Sequence, residues 1–340
     1  MDLEALKYSV FGGVRKNLHF PYYVHGFWML AQPRCLYVRK REDILHEFDR
    51  LTPAQQDYVM KRVNYYNRLI TPHSIPDDSP TLSQQSYFKK ERGSVYLFDT
   101  YEWNRYFPGT LKWQYAPGDI TQTFSVPTIT KSRPIVESRE NPNSIMINIE
   151  KVRHFMFFDD PIPFEQKRDI IFFRGAVTGK PHRMVFLEKY FNDPLFDILD
   201  TAKDSVYPEE MRQHIETTIY GHLKYKYIMS LEGNDVASNL KWIMNSNSIA
   251  VSPALKYETW FMEGTLVPNE HYIQVKSDYS DVAEKIAYYN DHPAEARDIV
   301  AHAHEHCRQF FDKRQERLIS LMVMAKYFKM TGQNLKTTQP

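Results

Sequence analysis

Three clusters of charged and small polar residues follow apolar runs that predict buried strands. In the first cluster the run IIFF ends in Arg174 and Gly175, and Thr178 and Arg183 follow where a helix is expected to begin. A pyrophosphate group binds fixed hydrogen-bond donors and the positive end of a helix, and this arrangement offers both. The alternative is that both arginines form ordinary ion pairs, and their spacing does not decide between the two interpretations.

The second cluster, LEGNDVASNLKW, joins the end of a predicted strand to a predicted helix. Gly233 supplies the turn, and Ser238 and Lys241 lie where they could bind one anionic group together with backbone N–H groups. An ordinary helix cap by Asn234 or Asp235 explains the same pattern.

The third cluster, YETWF, places Glu258 among aromatic residues after a further predicted strand. A carboxylate at that place could bind the hydroxyl groups of a ribose. It fits equally well as an acidic residue near a helix N-terminus, where it interacts favourably with the helix dipole. The pattern leaves both interpretations open.

Several familiar catalytic motifs are absent from the sequence. The segment GAVTGK has one residue too few between its glycines for a phosphate-binding P-loop, and Pro181 replaces the Ser or Thr that would bind magnesium. No G-x-G-x-x-G, G-x-S-x-G or C-x-x-C motif occurs. The sequence therefore gives no support for a dinucleotide cofactor, a serine hydrolase or a thiol redox enzyme. No Asp-x-Asp triplet occurs either, which favours a metal-independent site over sugar-nucleotide binding through a metal.

The C-terminal segment contains histidines at helical spacing, and His302 and His306 would share one face of a helix. We interpret them as part of a solvated polar stripe, because the sequence identifies no third ligand. We therefore expect neither a metal nor another cofactor. The neighbouring carboxylates Asp159 and Asp160 lie beside a proline and are predicted to be turn or cap residues.

The composition is that of an ordinary globular protein. The 340 residues include 43 Lys and Arg against 42 Asp and Glu, a net charge of +1, which argues against a nucleic-acid binder. The two cysteines, Cys35 and Cys307, favour a reducing compartment. No apolar run approaches the ~18 residues that span a bilayer, and the N-terminus lacks the apolar core of a signal peptide. We expect a cytoplasmic protein of two domains.

The predicted elements change character near residue 160. Upstream, a helix that opens with a Thr-Pro pair is predicted over residues 51–69, and short strands are predicted over residues 94–98, 113–115 and 144–149. Downstream, strands are predicted at residues 170–173, 196–200, 227–231, 249–252 and 272–275, and helices at 184–191, 209–220, 237–244 and throughout 293–330. Alternating strands and helices predict an α/β fold with a parallel sheet that binds ligands at the carboxyl ends of its strands.

Taken in order, several of these segments resemble glycosyltransferase family 90. They are IPFEQKRDIIFFRG with a following T-G-x-x-x-R, then KYKYIMSLEGNDVASNLKW, NSNSIAVSP and HYIQVKSDYSDV, with KSRPI upstream at residues 131–135. The resemblance extends from about residue 87 to the C-terminus. Within the family, the sequence most resembles the bacterial, LpsA-type branch of lipopolysaccharide core glycosyltransferases. This branch is related to the Rumi-type protein O-glucosyltransferases of eukaryotes.

The resemblance implies a GT-B architecture, in which two Rossmann-like domains face a cleft. Residues 1–160 would form the acceptor-side domain and residues 161–310 the nucleotide-sugar donor domain, while a helix within 311–340 returns to the first domain. The resemblance also implies inversion at the anomeric carbon without an essential metal. The catalytic base of the family matches Asp119, in the segment GDI.

For donor binding, the resemblance implies two phosphate contacts. The arginine after the R-G turn matches Arg183, with one inserted residue, whereas the arginine that Rumi-type members place at the start of the next helix is replaced by Asn239. A neutral amide cannot replace a guanidinium charge, so Lys241 and backbone N–H groups are expected to compensate. The expected donor site consists of Arg174, Gly175, Thr178, Arg183, Gly233, Ser238, Asn239, Lys241 and Glu258.

The resemblance thus predicts an inverting glycosyltransferase that moves a hexose, glucose or galactose, from a UDP-sugar to a heptose of the lipopolysaccharide or lipooligosaccharide core. The alternative is a catalytically weak nucleotide- or carbohydrate-binding scaffold protein in a glycan assembly complex. The missing arginine at Asn239 is the only motivation for that alternative.

The total charge is near neutral, but the charged residues are unevenly distributed along the chain. Residues 1–41 contain seven Lys and Arg against two Asp and Glu, and residues 311–340 contain six against two. If these segments form one basic face, they would attract a phosphorylated, lipid-linked core on the anionic inner membrane. We therefore expect peripheral membrane contact and no nucleic-acid partner.

Overall fold

The chain forms two compact units. The structure, a computed structural model, describes residues 20–84, 93–213 and 218–335. The first unit, which we call the sheet unit, contains Arg153–Leu255 and Thr265–Gln309. The second, the helix-rich unit, contains the described residues of 20–152, 256–264 and 310–335. The charged termini before residue 20 and after residue 335 lie outside the described residues, so the predicted basic face is only partly covered.

The helices and strands are numbered in chain order. The α-helices are α1 (Phe20–Ala31), α2 (Arg34–Leu45), α3 (Pro53–Tyr66), α4 (Gly93–Asn104), α5 (Lys151–His154), α6 (Pro181–Tyr190), α7 (Ile219–His222), α8 (Leu240–Asn245), α9 (Val282–Asp291), α10 (Pro293–Arg308) and α11 (Lys313–Met330). The strands are β1 (Tyr115–Ala116), β2 (Thr128–Thr130), β3 (Ser132–Pro134), β4 (Ser144–Met146), β5 (Arg168–Gly175), β6 (Phe196–Asp200), β7 (Tyr225–Met229), β8 (Ile249–Ser252), β9 (Tyr257–Thr259) and β10 (Ile273–Gln274). Every helix in these described parts is too short or too polar to cross a bilayer.

The sheet unit is built on a five-stranded sheet in which all pairings are parallel. Its strands lie in the order β10, β8, β7, β5 and β6, and the register pairs Phe173 with Ile198 and Ile228 with Ala250. The strand and helix alternation downstream of residue 160 predicted this parallel sheet, and the structure confirms it.

Strand β5 is apolar in a continuous run because it is buried on two faces. Successive side chains of a strand point to opposite faces. Phe172 stacks on Tyr225 with ring centroids 4.2 Å apart, and Phe173 meets Phe186 of α6 edge to face. Burial of each such ring contributes about 1.5–3 kcal/mol. A strand covered on both faces therefore shows no polar and apolar alternation.

Short strands and longer helices make up the helix-rich unit. Strands β1, β2 and β4 form a small parallel sheet, and β3 pairs with β9 in antiparallel orientation. Helix α3 begins after Thr52, whose side chain forms a reciprocal capping box with Gln55, and it packs against α11. The Thr-Pro pair predicted this helix start, which the structure confirms.

Residues 94–98 belong to helix α4, so the predicted strand is wrong. The run is rich in apolar residues that also favour strands. In the structure, Leu97 and Phe98 are buried together with Met29 of α1. The two helices approach so closely at Gly26 that a Cβ atom there would lie 2.5 to 2.7 Å from atoms of the Phe98 ring. Packing against α1 therefore decides the conformation of this segment.

Two predicted helices are interrupted. Of residues 209–220, Glu209–Met211 form a 3-10 turn and Ile219–His222 form α7, while residues 214–217 lie outside the described residues. The predicted helical tail divides into α10 and α11, because the Asp312 side chain accepts hydrogen bonds from the first backbone N–H groups of α11. That cap starts a new helix without any glycine or proline to mark the break.

A buried ion pair joins α3 to α11. Arg62 binds Glu316, and Trp260 Nε1 donates to the second oxygen of Glu316 at 2.6 Å. Arg62 also donates to the Tyr66 hydroxyl at 2.7 Å. Burial raises the pKa of Glu316, while the charge of Arg62 acts in the opposite direction. Arg62 and Tyr66 of α3 are therefore packing residues at the contact with α11.

Replacing Glu316 by alanine is expected to destabilise the helix-rich unit by about 3–5 kcal/mol, because the Arg62 guanidinium would remain buried without its counter-charge. Urea unfolding of Glu316→Ala measures this loss. The matched control is Glu137→Ala, which removes a carboxylate from an exposed ion pair with Arg139 in the same unit and should cost far less. Equal destabilisation by the two substitutions would show that the buried pair does not stabilise this contact.

Candidate active site

Two loops at the carboxyl end of the parallel sheet carry the first two predicted clusters. One loop joins β5 to α6, and the other joins β7 to α8. The Lys180 ammonium donates to Asn234 Oδ1 at 2.7 Å, and His182 Nε2 donates to the Glu232 carbonyl at 2.8 Å. These bonds hold the loops together where ligands of parallel sheets bind.

Arg183 is the main connection between the two loops. Its Nε donates to the Glu232 carbonyl at 3.0 Å, and its Nη2 donates to the Leu231 carbonyl at 2.6 Å. Its Nη1 donates to the carbonyl of Ala176 in the first loop at 2.8 Å. Three backbone oxygens therefore fix the orientation of one guanidinium.

No carboxylate of the described residues forms an ion pair with Arg183. Burial lowers the pKa of Arg183 to about 10; the nearby positive charge of Arg153 also lowers it, while Tyr279 and Asp200 act in the opposite direction. The guanidinium still carries its charge at neutral pH. A half-buried cation that has hydrogen-bond acceptors but no paired anion is suited to bind an anionic ligand.

The surrounding backbone adds to this anion-binding character. Helix α6 begins at Pro181, and no side chain caps its N-terminus. A Cβ atom at Gly175 would lie 2.8 Å from the Phe173 ring and 3.4 Å from Arg183 Nη1, and one at Gly233 would lie 3.6 Å from Arg183 Nη2. The two predicted glycines therefore leave space around the guanidinium.

The side chains of Arg174 and Thr178 bind carboxylates of the sheet unit itself. Arg174 donates to the side chain of Asp197, so the ion-pair interpretation applies to this arginine and not to Arg183. The Thr178 hydroxyl donates to Asp200 Oδ2 at 2.9 Å. Burial would raise the pKa of Asp200, but hydrogen bonds, the first from the backbone N–H of Val177, hold it below its ordinary value.

The second cluster differs from its prediction, because α8 begins only at Leu240 and neither Asn234 nor Asp235 caps it. Asn239 donates to the Met229 carbonyl at 3.0 Å and accepts from Ser230 Oγ at 3.2 Å. Its amide therefore links α8 to the end of β7, a role that needs no charge. Ser238 is half-buried and Lys241 fully buried beside it.

Glu258 lies in the helix-rich unit, in strand β9, and not at a helix N-terminus as one interpretation had it. Its carboxylate is fully buried and binds Arg133 Nε at 2.7 Å, Arg68 Nη2 at 3.0 Å and the Tyr65 hydroxyl. These partners occupy the carboxylate, so we leave Glu258 out of the donor site. The sequence could not indicate these partners, because Arg133 is 125 residues away from Glu258.

Asp119 belongs to a second charged cluster, in the helix-rich unit. Its side chain is 30% exposed, and Oδ1 lies 2.6 Å from Lys131 Nζ. Lys131 is buried and also lies 3.2 Å from Glu150 Oε2, which accepts from the Tyr96 hydroxyl at 3.1 Å. Burial raises the pKa of Tyr96, so its phenol remains a hydrogen-bond donor.

This cluster forms at the carboxyl end of the small parallel sheet. Asp119, Lys131 and Glu150 follow strands β1, β2 and β4, which pair with each other. Glu150 has a φ of 62°, a left-handed conformation that is rare for residues other than glycine and concentrates at functional sites. The cluster presents an oriented carboxylate that can accept a proton.

Sequence reasoning missed four residues of the two sites: Tyr96, Lys131, Glu150 and Arg153. Lys131 is the first residue of the KSRPI segment. That segment contributed to the family resemblance, but the resemblance assigned no role to its lysine. Tyr96 and Glu150 carried no such signal, because their place depends on the pairing of distant strands.

The histidines of α10 are not a uniformly solvated stripe. His306 is buried, and His304 Nε2 donates to the Ser246 carbonyl at 2.8 Å. Within the described residues, no three His, Cys, Asp or Glu side chains are grouped in a way that could hold a metal ion. Asp160 accepts from the backbone N–H of Ile162 at 3.0 Å, so its predicted role in a turn is confirmed.

The five-stranded parallel sheet, with the half-buried Arg183 at its carboxyl end, defines the class as an α/β protein. Comparison with known proteins identifies it further: the chain belongs to glycosyl transferase family 90, whose profile matches residues 147–338. It is 36% identical over 286 residues to O-glucosyltransferase LpsA of Dichelobacter nodosus, which covers 84% of this chain and 87% of that protein. It is 33% identical over 84 residues to Protein O-glucosyltransferase 2 of Danio rerio, 24% of this chain and 16% of that protein. The protein is therefore a glycosyltransferase, as the resemblance predicted.

Replacing Arg183 by alanine is expected to weaken pyrophosphate binding by about tenfold to a hundredfold, the loss that one charged hydrogen-bonding group typically causes. Isothermal titration with inorganic pyrophosphate measures the effect. Arg174→Ala is the matched control, because it removes a guanidinium from the same loop region but should leave the affinity unchanged. Equal affinity losses in the two variants would contradict the assignment of Arg183 to the anion site.

Proposed function

We propose that the protein is an inverting glycosyltransferase that moves glucose from UDP-glucose to a heptose of the lipopolysaccharide or lipooligosaccharide core. The observation that carries this proposal is the half-buried guanidinium of Arg183, which has no carboxylate partner among the described residues, in a chain of this family. Such a group matches the negative charge that develops on a departing nucleoside diphosphate.

The sugar and the acceptor are supported by the relatives. The two relatives described above are named glucosyltransferases, which favours glucose over galactose. The acceptor follows from the resemblance to lipopolysaccharide core enzymes and from similarity to LpsA along most of the chain. A heptose hydroxyl of the core is therefore the nucleophile that we propose.

The proposed reaction is a single displacement. Asp119 accepts the proton of the acceptor hydroxyl while that oxygen forms a bond to the anomeric carbon of glucose. The bond between this carbon and the UDP oxygen breaks, and the electron pair leaves with UDP. Arg183 stabilises the resulting charge on the diphosphate. A positioned general base typically contributes about 10²–10⁴-fold to the rate.

We propose that no metal or other cofactor is essential for this reaction. The sequence has no Asp-x-Asp triplet, and the guanidinium groups of Arg183 and Arg153 bring positive charge to the site. The division of roles is that of the GT-B architecture: the sheet unit binds the donor, and the helix-rich unit supplies the base. We further propose a cytoplasmic enzyme that acts peripherally at the inner membrane.

The scaffold alternative loses its motivation in the structure. It depended on a neutral residue at Asn239, where related proteins have an arginine. The Asn239 amide makes two hydrogen bonds at the end of β7, and Arg183 provides a guanidinium for the donor. Asn239 is therefore compatible with an active enzyme.

Replacing Asp119 by asparagine is expected to lower kcat by about 10²–10⁴-fold and to leave UDP affinity unchanged, because the amide keeps the shape but cannot accept the proton. Lys131 retains Glu150 as an ionic partner, so the variant should fold. Asp43→Asn, at an exposed position of the same unit, is the control and should be fully active. Turnover of Asp119→Asn within a few-fold of wild type would remove Asp119 from the role of base.

The donor and acceptor assignments are tested with the purified enzyme and core oligosaccharide from cells that lack this gene. Mass spectrometry should show addition of one hexose with UDP-glucose and little addition with UDP-galactose. Core from cells that retain the gene should gain nothing, because its acceptor position is already occupied. Preferential use of UDP-galactose would overturn the sugar assignment but not the reaction class.

A further inference from the structure

One face of helix α1 is apolar and exposed to solvent. Val24, Phe27 and Trp28 are 52%, 57% and 59% exposed, and they recur at helical spacing. The helix contains no Asp, Glu, Lys or Arg. A solvent-exposed helix without charged residues requires an explanation, because exposed apolar surface of this size commonly marks an interaction site.

The opposite face of α1 is fixed to α4, so the apolar face cannot turn inward. Met29 is buried against Leu97 and Phe98. The Tyr22 hydroxyl donates to Asp99 Oδ1 at 2.8 Å. Because Gly26 permits close contact with the Phe98 ring, any rotation of α1 would lose this packing.

The charges that adjoin this face are positive. Residues 20–41 contain four basic residues and no acidic residue, and the exposed carboxylates of α2, Glu42 and Asp43, follow them. Arg39 and Lys40 of α2 are exposed, and Leu36 in the first turn of α2 is 49% exposed. The segment thus combines exposed apolar side chains with exposed cations.

We propose that helices α1 and α2 dock onto the surface of an anionic phospholipid bilayer. Phe27 and Trp28 enter the interface between headgroups and acyl chains, where tryptophan is favoured, while Arg39 and Lys40 bind lipid phosphates. The exposed cations Arg39 and Lys40 precede the two carboxylates of α2, and their charge favours an anionic lipid surface over a protein partner. This inference extends the proposed function, because a lipid-linked acceptor lies at such a surface.

Tryptophan fluorescence provides a direct test with the full-length protein. Trp28 is the only exposed tryptophan, because the remaining four are buried: Trp103, Trp113, Trp242 and Trp260. We expect phosphatidylcholine vesicles that contain phosphatidylglycerol to shift the emission to shorter wavelength and to protect Trp28 from acrylamide quenching. Pure phosphatidylcholine vesicles should have little effect, and added salt should weaken the response.

Two pairs of substitutions separate the apolar and the charged contributions. Val24→Ser with Phe27→Ser keeps the Trp28 reporter and should lower vesicle affinity by at least about tenfold. Arg39→Glu with Lys40→Glu should abolish the preference for anionic vesicles. The control Ile70→Ser changes a side chain that is 88% exposed in the same unit and should bind vesicles like wild type.

The absence of any spectral shift with anionic vesicles would overturn the docking proposal. A second outcome would also overturn it: protection of Trp28 by self-association of the protein, abolished in the Val24→Ser, Phe27→Ser variant. The apolar face would then bind a second copy of the chain and not a bilayer. Transfer to a water-soluble core oligosaccharide should be unchanged in all these variants. Vesicle binding without any such transfer by the wild type would instead refute the proposed function and leave docking intact.

Discussion

The hydrogen bonds of the Arg183 guanidinium are the constraint on which the carboxyl edge of the five-stranded sheet depends. The three carbonyl groups that accept these bonds belong to residues 7, 48 and 49 positions away from Arg183 in sequence. One side chain therefore connects two loops and fixes the carboxyl edge of the sheet. Carbonyl oxygens satisfy the guanidinium hydrogens without cancelling its charge. A carboxylate in their place would provide similar rigidity but would remove the positive potential that an anionic ligand needs. At Gly175 a Cβ atom would lie 2.8 Å from the Phe173 ring, so this position leaves no room for a larger residue, whereas a Cβ atom at Gly233 would make an ordinary contact with Arg183 Nη2 at 3.6 Å.

The contrast between Arg174 and Arg183 shows why the sequence defined the site only in part. Both follow the same buried run, and their types and spacing are equally suited to phosphate binding. Arg174 lies over the ring of Phe172 and reaches Asp197, 23 residues further along the chain. The adjacent strand β6 brings that carboxylate to it. No local pattern reveals which arginine meets an acid, since strand pairing decides it.

The same reasoning separates the elements that were predicted from those that were missed. The parallel sheet and helix α3 follow from patterns inside their own segments, namely apolar runs and a capping pair. Helix α4 takes its conformation from packing on α1, and Glu258 takes its partners from distant strands and helices. Asp119 was assigned through family resemblance, whereas Lys131 beside it emerged only when parallel pairing brought the strand ends together.

Both units place their charged groups beyond the carboxyl ends of parallel strands, but with opposite sign. The sheet unit presents a guanidinium without a paired carboxylate. In the helix-rich unit, by contrast, two carboxylates, Asp119 and Glu150, share the ammonium of Lys131. A leaving diphosphate requires positive charge, and an attacking hydroxyl requires a group that takes its proton. In the proposed reaction, the edge of the sheet unit would meet the first need and the edge of the helix-rich unit the second, so the positive and the negative group would not neutralise each other within one unit.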